Sequence, residues 1–449
     1  MSEFITVQVG QCGNQIGQAF WPHALKEYGL IGNCDRKKPL PHHYYNSFFY
    51  NPDGLSFSSL EEMKKCNIKA RALLVDMEDS VVERFQTCNL RHLFDKTCTL
   101  SSYPGSGNNW AVGHFTHGRE QREMFLDMLQ TSVEKCDSPG GFISTFSLSG
   151  GTGSGLGSAI VEMLADEYPR INRLVCCVHP GESQDVVTAP YNIALCLSKL
   201  KEHANVVIPV DNKVLFEMCS RLHMTKDMKC WKPYRNINTV IVKHLLNVTS
   251  CARFPGSTNM SIRDLTTTMV PFQGLHFLAS SMSPISLVNA EDIPVNQRQT
   301  NVLADLCFKS NQLMSVAPLK GVVNSISLLA RGDITPAALS TYASKVRSKV
   351  KWAGWSSQET KTAYCKKPPH DHPRSLTCLS NTDSMGYFFE NTLANFYTLY
   401  RKKAHVHHYT GVDGFDDSFL RCVENLRDII DKYDLHQAAV DLPRRKIVR

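Results

Sequence analysis

The sequence predicts an α/β protein with a doubly wound parallel sheet in its first half, followed by a long core helix, a second α/β domain and two C-terminal helices. Strand-like runs alternate with helical periodicity as far as about residue 211, which is the pattern of βαβ units. Glycine-rich turns separate several of these strands from the helices that follow them. Such turns collect at the carboxyl edge of an open α/β sheet, where ligands bind.

The first strand–turn–helix unit begins at the N-terminus. Phe4–Val9 alternates between apolar and polar side chains like a strand. It runs into Gly10–Gly17, where glycines open a helical pattern that continues through Trp21. The turn therefore predicts a binding loop at the sheet edge.

Carboxylates follow the next predicted strand. Ala72–Val75 has the short apolar run of a buried strand, and Asp76 and Glu78 come directly after it. Oxygen ligands at this edge suit Mg²⁺, so both side chains are predicted metal ligands, direct or through water. Further along, Gly105–Trp110 supplies a tight polar turn with amide side chains that can donate to a phosphate or accept from a base.

The densest glycine turn follows a third apolar run, Phe142–Leu148. Residues 149–157 read Ser-Gly-Gly-Thr-Gly-Ser-Gly-Leu-Gly before a helical pattern opens near Ile160. Backbone without Cβ atoms can approach a polyanion closely, and the helix offers unpaired N–H groups to phosphate oxygens. The turn lacks the Lys of a P-loop and the spacing of a dinucleotide fingerprint, which disfavours a Rossmann oxidoreductase. It predicts another kind of phosphate loop, and glycines alone leave a merely flexible loop open as the alternative.

Three of these segments together resemble the signature of the tubulins. Gly10–Gln15, Gly105–Ala111 and Gly150–Gly155 occur in the order and at the spacing of that family. Further matches extend over essentially the whole chain: Ala189–Asn192, Asp211–Asn212, Ala252–Gly256, Met269–Phe272 and Arg401–His405. The features that resemble the epsilon class of tubulins are Ser250–Met260, Ala404–Tyr409 and a polar insertion between Cys34 and Lys65.

The resemblance implies a GTP-binding first domain, a core helix with an intermediate α/β domain, and a C-terminal helical hairpin. The corresponding boundaries are residues 1–211, 212–382 and 383–449. Its implied cofactors are GTP or GDP and Mg²⁺, and its implied partners are tubulins of the alpha, beta and delta types and centriolar proteins. The expected location is the cytoplasm and cytoskeleton, at the centrosome, centriole or basal body, with no membrane or nucleic-acid partner.

The resemblance also assigns the nucleotide-contacting residues. Those expected near the phosphates and the neighbouring side of the base are Gln11, Cys12, Gln15, Asn108, Ser147, Gly150, Gly151, Thr152 and Gly153. Those expected at the sugar and at the metal are Asp185, Asp76 and Glu78. Asn212 and Asn238 would bond the guanine edge while Tyr234 stacks on it, since two amides match its donors and acceptor. Taken singly, Cys12, Ser147 and Tyr234 also fit ordinary packing roles.

Catalysis in the resembled family spans two subunits. A loop of the next subunit along the filament presents an acid that positions water at the γ-phosphate. The matching acid here is Asp264, which implies a GTPase active only on subunit contact. The simpler alternative is a solvated acid paired with Arg263. For the whole chain, the alternative is a non-hydrolysing, nucleotide-stabilised scaffold that does not form ordinary microtubule walls.

The chain departs from the family pattern at several positions. Ser149 stands in place of a glycine, which would strain the loop if that position needs a positive φ. Ala189 stands in place of a ribose-binding glutamate. Pro284–Pro294 is shorter than the lateral-contact loop of alpha and beta tubulins, and Asp441–Arg449 is basic where they carry an acidic tail. These departures predict weaker ribose binding and an altered lateral contact.

Composition fits an intracellular globular chain. The 449 residues are 42% apolar, with no visible signal peptide and no run as long as a membrane span. The 16 cysteines are scattered without CxxC pairs, which predicts reduced core thiols. A net charge of +7 favours acidic partners such as tubulin surfaces.

Overall fold

The computed structural model describes residues 2–32, 40–181, 186–224, 232–256, 258–287, 309–318, 320–354, 356 and 360–441. Asp185, most of Pro284–Pro294 and nearly all of the basic end lie outside these residues. The strands in the described part are β1 Glu3–Val9, β2 Phe49–Tyr50, β3 Lys69–Ala70, β4 Ala72–Asp76, β5 Thr99–Ser101, β6 Pro139–Ser147, β7 Arg173–His179, β8 Val206–Asp211, β9 Ala279–Ser283, β10 Val322–Gly332, β11 Lys351–Trp352, β12 Thr360–Cys365 and β13 Arg374–Thr382. The helices there are α1 Gly10–Tyr28, α2 Leu60–Lys65, α3 Asp79–Thr87, α4 Gly118–Glu120, α5 Arg122–Glu134, α6 Gly157–Glu167, α7 Ala189–His203, α8 Asn212–Met224, α9 Pro233–Arg253, α10 Ile262–Met269, α11 Pro336–Lys349, α12 Gly386–Tyr400, α13 His407–Thr410 and α14 Ser418–Asp441.

The first half of the chain folds around a six-stranded sheet in which all neighbouring strands are parallel. The strand order is β5-β4-β1-β6-β7-β8. Successive side chains of β1 enter different cores, since Phe4 packs on one face and Ile5 on the other. Helices therefore cover both faces, and the predicted doubly wound α/β fold is confirmed. In register, Gln8 lies between Leu74 and Thr145, so the carboxyl ends of β1, β4 and β6 are adjacent.

The second sheet is mixed. Its order is β11-β10-β13-β9, and β12 pairs with β10 outside that path. The sequence predicts a strand at His276–Leu278; in the structure Phe277 forms only an isolated parallel bridge with Val207, and the strand β9 begins at Ala279. Val207 of the first sheet bonds this segment instead, donating to the His276 carbonyl and accepting from the Leu278 N–H, both at 2.9 Å. The segment thus passes from the edge of one sheet to the other.

The core helix α9 packs against α1 and α8 of the first half and against β10 and β13 of the second sheet. A buried ion cluster reinforces this position. Glu27 of α1 forms ion pairs with Arg253 of α9 at 2.7 Å and with Arg331 of β10 at 2.6 Å, and all three side chains are at most 1% exposed. Burial alone would raise the pKa of Glu27, but attraction by the two guanidinium groups outweighs it and lowers the pKa to about 2.

The C-terminal helices form an outer layer. α12 and α14 pack against each other and against α7 of the first half. The sequence predicts that His405, His407 and His408 lie on the first C-terminal helix, but that helix, α12, ends at Tyr400. His407 and His408 belong to the short α13, and His405 has a φ of 58° that does not continue a helix. The domain boundaries after residues 211 and 382 coincide with strand ends but stay predictions.

Two further findings concern the described residues. None of the thirteen cysteines among them, which include the buried Cys176 and Cys177, forms a disulfide bond. None of their helices combines the length and apolar character needed to cross a membrane.

Candidate nucleotide-binding site

Three glycine-containing segments meet at the carboxyl edge of the first sheet: loop 10–15, whose residues form the first turns of α1, loop 105–111 and loop 147–153. A Cβ on Gly10 would lie 3.0 Å from the amide nitrogen of Gly153, and Gly10 has a φ of 70°. A Cβ on Gly151 would lie 2.7 Å from the amide nitrogen of Asn109. Backbone therefore packs directly on backbone, which requires glycine at these two points.

Two of these loops run into π-helical turns. Loop 105–111 is followed by the turn at 112–117, and the turn at 152–156 begins within loop 147–153. They also pack closely, because a Cβ on Gly155 would lie 2.4 Å from the Trp110 carbonyl oxygen and one on Gly113 would lie 2.4 Å from the Gly151 oxygen. Such wide turns are rare and frequently occur at functional sites. Here they bring loop 147–153 into close backbone contact with loop 105–111.

Loop 147–153 has little internal strain. Ser147 Oγ lies 3.0 Å from Ser149 Oγ and accepts from the Ser149 N–H at 3.3 Å. Ser149 is not among the residues with positive φ. A serine in place of glycine at this position therefore does not strain the loop, which answers the condition stated in the sequence analysis. Around Gly150 the space is open within the described part of the chain, since an added Cβ would meet none of its atoms within 4 Å. Across the site, Thr152 Oγ1 bonds Ser106 Oγ at 3.0 Å.

The two predicted metal ligands border the same edge. Asp76 is 2% exposed, and its Oδ2 has no hydrogen-bond partner among the residues that the structure describes. Burial raises the pKa of Asp76 to about 7. Glu78 is exposed, and its Oε1 lies 3.2 Å from where a Cβ on Gly105 would stand. An unpartnered buried carboxylate fits a cation or a bound water, although no group of three His, Cys, Asp or Glu side chains among the described residues could hold a metal alone.

The residues expected near the base lie on three helices. Gln11 and Gln15 occupy the first two turns of α1 and are one turn apart, so they share a face. Cys12 lies between them, and burial raises the pKa of its thiol to about 12, so it stays protonated at neutral pH. Asn212 begins α8, while Tyr234 and Asn238 share a face at the start of α9, which packs on α8. Tyr234 is 64% exposed, which leaves its ring available to a ligand.

Sequence reasoning missed Asn192, on α7. This fully buried side chain donates from Nδ2 to the carbonyl oxygens of Asn108 at 2.8 Å and Ser149 at 2.7 Å. Its Oδ1 accepts from the Trp110 N–H at 3.0 Å. The sequence contained one signal for this role: an amide side chain within the apolar run of α7, since a buried amide needs hydrogen-bond partners. Asn192 joins loop 105–111 to loop 147–153.

Comparison with known proteins identifies the family. The family model of the tubulin/FtsZ GTPase domain matches residues 3–220, and that of the tubulin C-terminal domain matches residues 274–394. The chain belongs to the tubulin family. It is 34% identical to the tubulin epsilon chain of Homo sapiens, over 100% of this chain and 99% of the relative. The tubulin epsilon chain of Mus musculus is 35% identical, over 99% and 98%, and the tubulin beta chain of Encephalitozoon intestinalis is 30% identical, over 98% of both chains.

Membership of the tubulin family confirms the resemblance predicted from the sequence and implies that the first domain binds GTP or GDP. The region matched to the tubulin GTPase domain contains all three loops and Asp76. Membership of the tubulin family also means that the chain is a cytoskeletal protein.

Asp264, the residue predicted to be catalytic, lies at the start of α10, outside the region that matches the tubulin GTPase domain. Asp264 is the third residue of α10 and forms a reciprocal capping box with Ser261. Its Oδ2 accepts from the Ser261 N–H at 3.0 Å and from Ser261 Oγ at 2.8 Å. These bonds, the backbone one first, hold the pKa of Asp264 below its ordinary value. The carboxylate is exposed and ionised, but one of its oxygens already has local partners.

Proposed function

We propose that this chain is an epsilon-type tubulin subunit that binds GTP in the cradle formed by loop 10–15, loop 105–111 and loop 147–153. The observation that carries the proposal is the direct backbone contact of the three loops at the carboxyl edge of a parallel sheet. Close-packed glycine backbone beside helix N-termini suits an anionic phosphate chain. The open space beside Gly150 leaves room for it.

Within this proposal, loop residues surround the phosphates and two helices hold the base. The residues proposed at the phosphates and beside the base are Gln11, Cys12, Gln15, Asn108, Ser147, Gly150, Gly151, Thr152 and Gly153. Asn212 and Asn238 bond the guanine edge, and the exposed ring of Tyr234 stacks on it. Asp185 is proposed at the ribose.

Asp76 and Glu78 are proposed to hold Mg²⁺, which would neutralise phosphate charge. The unpartnered Oδ2 of Asp76 supports this assignment, because a buried carboxylate gains most from a nearby cation. Two carboxylates alone do not fill the coordination sphere of Mg²⁺. They match the way Mg²⁺ is commonly bound, with phosphate oxygens and water completing its octahedron.

The nucleotide released from natively purified protein tests this proposal. We expect about one guanine nucleotide per chain and none of the adenine type, because two amides match the guanine edge. Denaturing the protein and quantifying the nucleotide by chromatography gives the count. Asp76→Asn is the matched variant: it keeps shape and loses charge, so its nucleotide should dissociate faster in Mg²⁺ but at the parental rate in a chelator. A parent that releases no guanine nucleotide and takes up no added GTP contradicts the proposal.

We propose further that hydrolysis is completed across a longitudinal contact by Asp264 of the next subunit. The supporting features are its exposure and its ionisation at neutral pH, which a water-positioning group needs. The partners proposed are alpha, beta and delta tubulins with centriolar proteins. The proposed sites of action are the centrosome, centriole or basal body in the cytoplasm.

Asp264→Asn should lower GTP hydrolysis in the assembled protein by on the order of 100-fold, because an amide cannot accept a proton from water. The assay follows phosphate release from this chain alone and mixed with alpha/beta or delta tubulin. Ser261→Ala is the control, since it removes the two bonds of the Ser261 hydroxyl, to Asp264 Oδ2 and from the Asp264 N–H, but keeps the Asp264 carboxylate. Hydrolysis by Asp264→Asn at the rate of Ser261→Ala would exclude the catalytic role.

The second candidate is a scaffold that binds GTP without hydrolysing it. The capping box of Ser261 and Asp264 favours it, because a carboxylate that closes a helix start already has a structural role. This candidate predicts bound GTP without phosphate release in every mixture. The same assay therefore separates the two functions.

A further inference from the structure

The contacts of Asn192 continue outward from the nucleotide loops to the C-terminal layer. Tyr409 donates its phenol proton to Asn192 Oδ1 at 2.6 Å. With the bonds from Trp110 and to Asn108 and Ser149, all four hydrogen-bonding positions of the amide are used. The amide has only one satisfied orientation, because a flipped Asn192 would place its NH₂ against the Trp110 N–H. Tyr409 therefore helps to fix how Asn192 holds the loops.

One of the held residues has an unusual backbone. Asn108 has a φ of 57°, a left-handed conformation that non-glycine residues seldom adopt. Its carbonyl oxygen accepts from Asn192 Nδ2 at 2.8 Å and from Thr188 Oγ1 at 3.1 Å. Both donors come from the start of α7, so loop 105–111 is held in this conformation from outside the site.

Tyr409 belongs to a surface segment, residues 401–409, that we call the outer connector. Two more bonds attach it to the same region: Asn109 Nδ2 donates to the His408 carbonyl at 2.8 Å, and the Tyr191 phenol donates to the Ala404 carbonyl at 2.9 Å. The opposite side of the outer connector faces solvent, with Arg401, Lys402, Lys403, His407 and His408 exposed. One short segment thus reaches from the protein surface to the loops.

We infer that Asn192 is a positioning residue for the nucleotide loops and that Tyr409 couples it to the outer connector, so that the connector controls how long nucleotide is retained. This inference rests on the proposed function, because it assumes that the loops bind GTP. Asn192 holds loop 105–111 at Asn108 and loop 147–153 at Ser149. Moving the outer connector withdraws the phenol from Asn192 and loosens both loops. By linkage, bound nucleotide also favours the observed position of the connector.

Release of a fluorescent GTP analogue from the full chain tests the coupling. Tyr409→Phe keeps the ring but removes the buried bond to Asn192 Oδ1, together with a longer one of 3.5 Å to the Thr188 carbonyl, and should speed release about fivefold. Asn192→Asp loses both donors and sets a carboxylate against two carbonyl oxygens, so release should be more than about tenfold faster. Tyr191→Phe is the matched control: it removes one phenol bonded to the same connector but to neither loop, and its release rate should stay within about twofold of the parent.

The stability of nucleotide-free protein separates positioning from general loosening. Tyr409→Phe and Tyr191→Phe should lower the denaturation midpoint equally, while only the first speeds release. Release from Tyr409→Phe at the parental rate, or equal acceleration by Tyr191→Phe, would overturn the coupling. A parent that takes up no analogue overturns the proposed function itself, and with it this inference.

Discussion

Glu27→Gln should lower the free energy of unfolding by about 3–5 kcal/mol, because it leaves two buried guanidinium groups without their counter-charge. Glu27 forms ion pairs with Arg253 and Arg331 at 2.7 and 2.6 Å, with side chains at most 1% exposed. The amide keeps the shape of the carboxylate, so the loss reports charge and not a cavity. These residues belong to α1, α9 and β10, so the cluster supports the contact between the two halves of the chain. Chemical denaturation monitored by tryptophan fluorescence measures the change.

A surface pair provides the matched control for the ion cluster. Glu167 pairs with Arg122 at 3.4 Å with both side chains 44% exposed, so Glu167→Gln should cost less than about 1 kcal/mol. Similar losses for Glu27→Gln and Glu167→Gln would mean that the cluster adds little beyond a solvated pair.

Acid should weaken the ion cluster over a defined pH range. The pKa of Glu27 is lowered from 4.5 to about 2, so its stabilisation is complete above pH 4.5 and is lost as the pH falls towards 2. Over that range, the unfolding free energy of the parent should therefore fall more steeply than that of Glu27→Gln. Parallel pH profiles for the two proteins would contradict this assignment.

Consecutive residues were enough to predict the elements that carry the site. The predicted strands at Phe4–Val9 and Ala72–Val75 differ from β1 and β4 by one residue each. A buried parallel strand and the glycine turn after it are encoded locally, in apolar runs and absent Cβ atoms. Because parallel strands end at one edge, local patterns also predicted that the loops would meet.

Partners distant in sequence could not be predicted in the same way. Nothing near Glu27 indicates that Arg253 and Arg331 will surround it, and Asn192 acquires its role only when α7 packs beside loop 105–111. The segment His276–Leu278 is a similar case, because its bridge partner Val207 belongs to the first sheet and not to the sheet of β9. The capping box of Asp264 differs: Ser261 lies three residues before it, a spacing that is itself a helix-start signal.

Gly151→Ala and Gly150→Ala should separate the folding of the site from ligand binding, although they are neighbours in one loop. A Cβ on Gly151 would lie 2.7 Å from the amide nitrogen of Asn109 and 2.8 Å from Ser106 Cβ, so loop 105–111 and loop 147–153 must move apart. We expect Gly151→Ala to lose about 1–3 kcal/mol of unfolding free energy without nucleotide, and to release bound nucleotide faster. Denaturation of nucleotide-free protein and nucleotide release measure the two effects.

Gly150→Ala is expected to leave nucleotide-free stability within about 0.5 kcal/mol of the parent, because its Cβ would meet no atom of the described residues within 4 Å. The same open space is where we propose that phosphates lie, so the added methyl should still weaken nucleotide retention. Equal loss of stability in both variants would contradict the packing argument. Parental retention by Gly150→Ala would instead exclude phosphate from this side of the loop, because a methyl group and a phosphate oxygen cannot share one volume.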